Sequence, residues 1–183
     1  MGTREEGLAI MAEFNNNLWA PWRMEYIRSL AEQEKETGCF LCHYSDHPEE
    51  DGANLVIWRG KSAFVCMNRF PYTTGHLLVA HGGHKGSLTD LTPEELTEMS
   101  CMLRDATGLL AETVGAEGFN VGYNIGSCAG AGLPGHLHAH IVPRWNGDTN
   151  FMPVLGDVRV VPEALDKLRD QLVSTATAMG LRD

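Results

Sequence analysis

His136-Leu137-His138-Ala139-His140-Ile141-Val142-Pro143-Arg144-Trp145 is the stretch that most constrains this chain. Histidine alternates with apolar residues at period two, the pattern of a β-strand with one buried face. Residues i, i+2 and i+4 share a strand face, so the spacing predicts three imidazoles in a row, their Cα atoms about 6–7 Å apart. Leu137, Ala139 and Ile141 then point the other way, into a core. Three of the chain's eight histidines on one face suggest metal binding, proton transfer or covalent phosphoryl chemistry. Imidazole titrates near neutral pH and can act as a nucleophile, which suits it to such work.

The flanking sequence reads as an α+β chain with an antiparallel sheet. Residues 54–58 and 62–67 predict two strands around an Arg59-Gly60 turn. A turn-rich stretch, 68–75, leads into an apolar strand over 76–80. Thr92-Pro93-Glu94-Glu95 is a capping box with proline at the first helical position, and its helix is expected to run to about Val114 and stop near Gly115. A strand over 119–124, a glycine-rich loop over 126–135 and the histidine strand over 136–143 follow. Amphipathic helices are expected over 18–36, with Trp22, Tyr26 and Leu30 on one face, and over 162–179, with Leu165, Leu168 and Leu172. Residues 37–52 read as a polar loop. Strands come first and then mix with helices without βαβ alternation, which favours α+β.

At 183 residues the chain predicts one elaborated domain over 18–183, preceded by a flexible terminus, 1–17. A formal charge of −10 excludes the basic footprint of a general nucleic-acid binder. No apolar run approaches a membrane span and no targeting signal is visible. Five cysteines, an odd number without a secretory signal, read as reduced thiols of a cytoplasmic protein.

Gly130-Ala131-Gly132-Leu133-Pro134-Gly135 matches G-x-G-x-x-G in letters only. The dinucleotide fingerprint must follow a strand and open a helix; here it opens a strand and contains a proline. Its exposed backbone N–H groups remain suited to cradling an anion, directly ahead of the histidines. Cys39-Phe40-Leu41-Cys42 has zinc-ligand spacing and needs two further ligands, for which His43, His47 and His81 are local candidates. A single ion shared by all three strand histidines is disfavoured, since the outer two lie roughly 13 Å apart.

The segment 136–142 resembles the His-φ-His-φ-His-φ-φ motif of the histidine triad (HIT) superfamily, φ being apolar. The resemblance extends over roughly residues 18–175, through Leu18 to Ile27, Asn68, Thr74 to Val79, Phe119 to Gly126 and Gly147 to Phe151. These blocks are most similar to the diadenosine tetraphosphate phosphorylase and dinucleoside polyphosphate hydrolase branch. The resemblance implies a HIT-like fold of about five antiparallel strands and one long helix, and a homodimer. It also implies a nucleotide substrate attacked at its α-phosphorus by His138, giving a nucleotidyl-histidine that water or phosphate resolves.

By the same resemblance, His140 contacts the phosphate and helps the leaving oxygen, and His76 stands beside the nucleophile. Asn68 contacts ribose and Asn124 the phosphate region. Gly130, Ala131, Gly132 and Leu133 line the phosphate path, with Ser127 as the loop's side-chain hydroxyl and Trp145 as a candidate wall or a packing aromatic. Zinc-containing relatives imply Cys39, Cys42, His84 and His136 as a structural zinc site, with no catalytic metal in the covalent step. Phosphorylase relatives tend to carry a small polar residue where this chain has Ala131 and Gly132. Hydrolysis therefore stays open, as do a phosphoramidase, a nucleotide-binding protein with little turnover, and a metallohydrolase using the triad as ligands.

Overall fold

The computed structural model describes residues 38–148 and 164–182. The expected helix over 18–36 lies outside them, as does the start of the C-terminal one. Five strands form one antiparallel sheet: β1 (Val56–Arg59), β2 (Ala63–Met67), β3 (Leu77–His81), β4 (Gly118–Tyr123) and β5 (His138–Arg144), in the order β1-β2-β3-β5-β4. The strand carrying the histidines therefore lies inside the sheet, with Ala80 opposite His138 and Leu78 opposite His140 on β3. Within the described residues, the mixed α+β architecture and the five-stranded antiparallel sheet agree with the sequence.

The long helix α2 (Pro93–Val114) matches its expected bounds. Thr92 accepts from the Glu95 N–H, the Glu95 carboxylate accepts from the Thr92 N–H, and Gly115 closes the helix at φ 61°. Met99, Met102, Ala106, Leu109 and Leu110 fall on one helical face and are buried. They pack with Leu168, Leu172 and Ala176 of α3 (Leu165–Ala178) and with Ile57, Val65, Leu77, Val79, Ala139 and Ile141 from one side of the sheet. Period 3.6 on the helices and period two on the strands thus meet in a single apolar layer.

The opposite side of the sheet carries a smaller apolar cluster of Val56, Phe64, Cys66, Leu78, Ala80 and Leu133. It is covered by residues that the sequence reads as a loop. Phe40–Asp46 is a helix, α1, followed by a 3₁₀ turn at Pro48–Glu50. Local sequence signals miss this helix because its support is tertiary. Leu41 and Tyr44 are buried in the cluster, and Arg59 donates to the Tyr44 and Ser45 carbonyls at the helix end while paired with Asp51. Burial pushes the Cys66 thiol up to about 12, so Cys66 packs as a small apolar group.

The β1–β2 hairpin is held from outside the sheet. The Glu98 carboxylate on α2 accepts from the Lys61 and Ser62 N–H groups and the Ser62 hydroxyl. A side chain at position 60 would collide with this carboxylate, which accounts for Gly60 in the turn. These bonds, led by Ser62, hold the Glu98 carboxyl below its ordinary value against the opposing effect of burial. A carboxyl whose pKa is depressed on folding stabilises the fold above its unfolded value and loses that contribution as pH falls through the folded one. Glu98→Ala is expected to cost about 1–3 kcal/mol at pH 7 by urea unfolding, with a smaller penalty towards pH 3. A variant as stable as the parent at pH 7 would show that the bonds contribute nothing net.

Candidate active site and metal centre

His138 and His140 stand on the face of β5 turned away from α2 and α3, at the edge of the smaller apolar cluster. Their ring centroids are 5.0 Å apart. His76 reaches the same face from the residue just before β3. Gly75, at φ 76°, turns the chain there, and a Cβ at that position would press on Leu110.

Hydrogen bonds assign a tautomer to each ring. His138 is buried, and its Nδ1–H donates to the His136 carbonyl at 2.8 Å. That leaves the lone pair on Nε2. Burial lowers the His138 pKa, with the carbonyl bond opposing the shift, so the ring is kept neutral and nucleophilic. The fully buried His76 accepts the Tyr72 N–H on Nδ1 at 3.1 Å. Its proton is therefore on Nε2, which donates to His140 Nδ1 at 3.0 Å. The His140 proton is in turn placed on Nε2; the Asn124 amide group lies 3.5 Å away and can accept that proton only through its oxygen. One ring thus presents a lone pair, and its neighbour presents an N–H. Asn68 is tied into the same array, its amide 3.3 Å from His76 Nδ1.

His136 departs from the expected row. It lies two residues before β5, its N–H directed to the Leu133 carbonyl at 3.4 Å, so only two of the three imidazoles ride on the strand. Its Nε2–H donates to the His81 carbonyl at 2.6 Å, which leaves Nδ1 as the open nitrogen. Nδ1 faces Cys39 Sγ at 3.2 Å and Cys42 Sγ at 3.4 Å, and His84 Nδ1 is 3.3 Å from Cys42 Sγ. All four donor atoms lie within 4.8 Å of one another. A tetrahedral zinc with sulfur and nitrogen ligands needs ligand atoms roughly 3.3–3.8 Å apart, so the donor set fits the ion. Burial brings the His136 pKa to about 4, against the raising effect of its bond to His81, which keeps a neutral imidazole available. Cys39 and Cys42 occupy the N-cap and third positions of α1, so the helix missed in the sequence also aims the two thiols.

The glycine loop passes over this region. Ser127 is exposed in a 3₁₀ turn, and Gly130 adopts φ 84°. The Ala131 and Leu133 side chains are buried, so those residues can offer only backbone to a ligand. Trp145 falls on the other side of the sheet. It follows Ala139, Ile141 and Pro143 in the strand alternation, and its indole N–H donates to the Val114 carbonyl at 3.2 Å. The packing alternative for Trp145 is the one the structure shows. Tyr72, unmarked in the sequence, stands by the histidines: its ring centroid is 4.6 Å from that of His76 and 6.2 Å from that of His140. A hollow of about 880 Å³ between α2 and α3 is lined by Glu112, Thr113, Asp170 and Ser174 among others and includes none of these imidazoles.

Known proteins bear out the resemblance. The HIT domain family model matches residues 47–147. AP-4-A phosphorylase of Mycobacterium tuberculosis is 34% identical over 160 residues, covering 86% of this chain and 82% of that protein. The asymmetrical bis(5'-nucleosyl)-tetraphosphatase of Schizosaccharomyces pombe is 34% identical over 93 residues, about half of each chain. Two solved structures share the fold at low identity. A Zn-bound histidine triad family protein from Mycobacterium smegmatis is 24% identical with TM-score 0.63, covering 78% of this chain and 96% of that one. A uridylyltransferase is 13% identical with TM-score 0.65, covering 88% and 52%. The chain belongs to the HIT domain family, and its sequence groups with the AP-4-A phosphorylase branch.

Proposed function

We propose that this protein cleaves dinucleoside polyphosphates through a covalent nucleotidyl-histidine on His138. The observation that carries the reading is a pair of contacts: His138 Nδ1 on the His136 carbonyl at 2.8 Å leaves Nε2 free to attack, and His76 Nε2 on His140 Nδ1 at 3.0 Å leaves the His140 proton to Nε2. His138 Nε2 attacks the α-phosphorus and a P–N bond forms. The bond from phosphorus to the bridging oxygen breaks, and the His140 Nε2–H donates a hydrogen bond to that oxygen as its negative charge develops. Water or inorganic phosphate then attacks phosphorus, the P–N bond breaks to release His138, and any proton the acceptor carries passes to solvent. Asn68 contacts the ribose of the transferred half, Asn124 its phosphate, and the backbone of 130–133 the negative charge that gathers there. The names of the similar proteins support the substrate class. Phosphoramidase action or binding with little turnover is the alternative if no polyphosphate is cleaved.

Water and phosphate give different products, which makes the test direct. Diadenosine tetraphosphate supplied with phosphate is expected to yield ATP together with ADP, and without phosphate any turnover yields ATP with AMP. An enzyme that cleaves neither way, and that carries no adenylyl group after alkaline quench, is not the one proposed. Ala131 and Gly132 bear no hydroxyl to hold a phosphate acceptor, which favours water as a second reading.

Zinc is proposed for Cys39, Cys42, His84 and His136, where it would tie α1 to the start of β5 and fix the backbone carbonyl that orients His138. Two copies are proposed to pair. β4 is an outermost strand, with Asn120, Val121 and Gly122 exposed, and such an edge offers unpaired backbone groups. Sedimentation is expected to give a mass near twice that of one chain; a single-chain mass at micromolar concentration argues against pairing. No helix among the described residues is long and apolar enough to cross a membrane.

A further inference from the structure

One carboxylate ties together the two stretches of backbone that carry His84 and His136. Glu95 stands in the first turn of α2. The Lys85 ammonium donates to both of its oxygens, at 2.8 and 2.6 Å, and the Thr92 N–H donates to one of them at 2.8 Å. The buried His81 has its Nε2 3.2 Å from the same carboxylate, off the line of a hydrogen bond. His81 and Lys85 bracket His84, and their main chains hold the other histidine. The His136 Nε2–H donates to the His81 carbonyl at 2.6 Å, and the Leu137 N–H to the Lys85 carbonyl at 2.6 Å. The His81 N–H returns a bond to the Leu137 carbonyl at 3.2 Å. We propose that Glu95 is a positioning residue for the four-ligand corner: through Lys85 and His81 it fixes the 81–85 loop, so that His84 and His136 are held together in readiness for zinc. The proposal rests on the zinc reading above and concerns how its ligands are held.

Capping the helix does not account for these contacts. A capping box asks of position 95 one acceptor for the Thr92 N–H, which glutamine also supplies. It asks for no cation at 85 and no buried histidine at 81. Lys85 is the one lysine or arginine between Gly82 and Thr92, and it reaches this carboxylate. A lone surface ion pair adds little, but here both carboxylate oxygens are engaged and the side chains are only 30% and 21% exposed. The loop is also pinned at its two ends. The Gly82 N–H donates to the Ser62 carbonyl at 2.7 Å, and a Cβ at Gly86 would stand 3.0 Å from the Pro134 carbonyl. Glu95 supplies the hold between those ends.

Glu95 does this without being a ligand. It belongs to α2 on one side of the sheet, whereas Cys39 and Cys42 belong to α1 on the other, and it is not among the four clustered donors. Its influence passes through the main chain of 81–85 to 136–137. Groups standing behind metal ligands orient them, and losing one typically costs about 10–100-fold in metal affinity.

The sign of one substitution separates positioning from charge. By Coulomb's law alone, removing a cation beside a zinc site tightens metal binding. Positioning predicts the reverse for Lys85→Met, which keeps the apolar stem and loses the ammonium. Zinc affinity of the full chain, measured by competition with a chromophoric chelator, is expected to fall about 10–100-fold in Lys85→Met and in Glu95→Ala. Thr92→Ala removes the other half of the capping box, leaves the carboxylate on Lys85, and should bind zinc as the parent does. Lys85→Met binding zinc as tightly as the parent, or more tightly, overturns the proposal and leaves the zinc site standing. So does Thr92→Ala losing as much affinity as Glu95→Ala, which would trace the effect to the helix start. A parent that binds no zinc removes the zinc reading, and the positioning role falls with it.

Discussion

Replacing His138 with alanine is expected to lower kcat by at least about 10⁴-fold on any nucleotide substrate, since the loss of a nucleophile removes the pathway that the other groups serve. The fold should hardly notice. His138 is buried but at the rim of the smaller cluster, and the side chains packed beneath the sheet are Ala139 and Ile141. Far-UV circular dichroism should therefore match the parent. The parent, quenched in alkali, which preserves a P–N bond, during turnover of a labelled dinucleotide, should carry one adenylyl group on His138, and the variant none. Turnover within tenfold of the parent would exclude a covalent role and return the histidines to ordinary acid–base or ligand chemistry.

The second large effect belongs to the four-ligand corner. The purified protein is expected to hold one zinc per chain by elemental analysis, and Cys39→Ser with Cys42→Ser to hold almost none. Stability should fall by several kcal/mol, part of the roughly 10–16 kcal/mol that structural zinc supplies to small peptide domains, because here the sheet and its helices have their own core. Activity should fall as well, through the carbonyl of His136, which orients His138. A chelator that empties the site should reproduce both effects. If the double variant keeps full stability and activity with no zinc bound, the corner is a cluster of thiols and imidazoles and nothing more. Loss of activity with metal at His138 or His140 would instead favour the metallohydrolase.

Much of this site could be read in the residues, and the exceptions have physical reasons. Period two placed His138 and His140 on one strand face, and the Thr92–Glu95 capping box fixed the start of α2. The same alternation overextended the strand by one histidine, because nothing in period two marks where a ladder ends. His136 keeps the spacing while its backbone already belongs to the turn closed by Leu133. The ligand set came from resemblance, since no local pattern joins Cys39 to a histidine 97 residues away. α1 was missed because Arg59 and the apolar cluster hold it, and neither is nearby in sequence. Tyr72 was missed because a tyrosine in a turn-rich connection looks like any other. The one available hint was that eight residues must leave Asn68 and return as His76 with the two side chains touching.

The order of the sheet also bears on how the chain assembles. β1, β2 and β3 follow one another along the chain and pair as neighbours, and β4 and β5 form a second local pair. Asn124 and His140, within the second pair, are 16 residues apart, whereas His76 and His140, across the junction of β3 with β5, are 64 apart. Closing the longer loop costs more entropy, so each half can organise by itself while the seam between them waits. His76 lies on one side of that seam, and His138 and His140 lie on the other. The reactive arrangement therefore exists only once the two halves have docked. A nucleotide that touches both sides would strengthen the docking by binding the joined form alone.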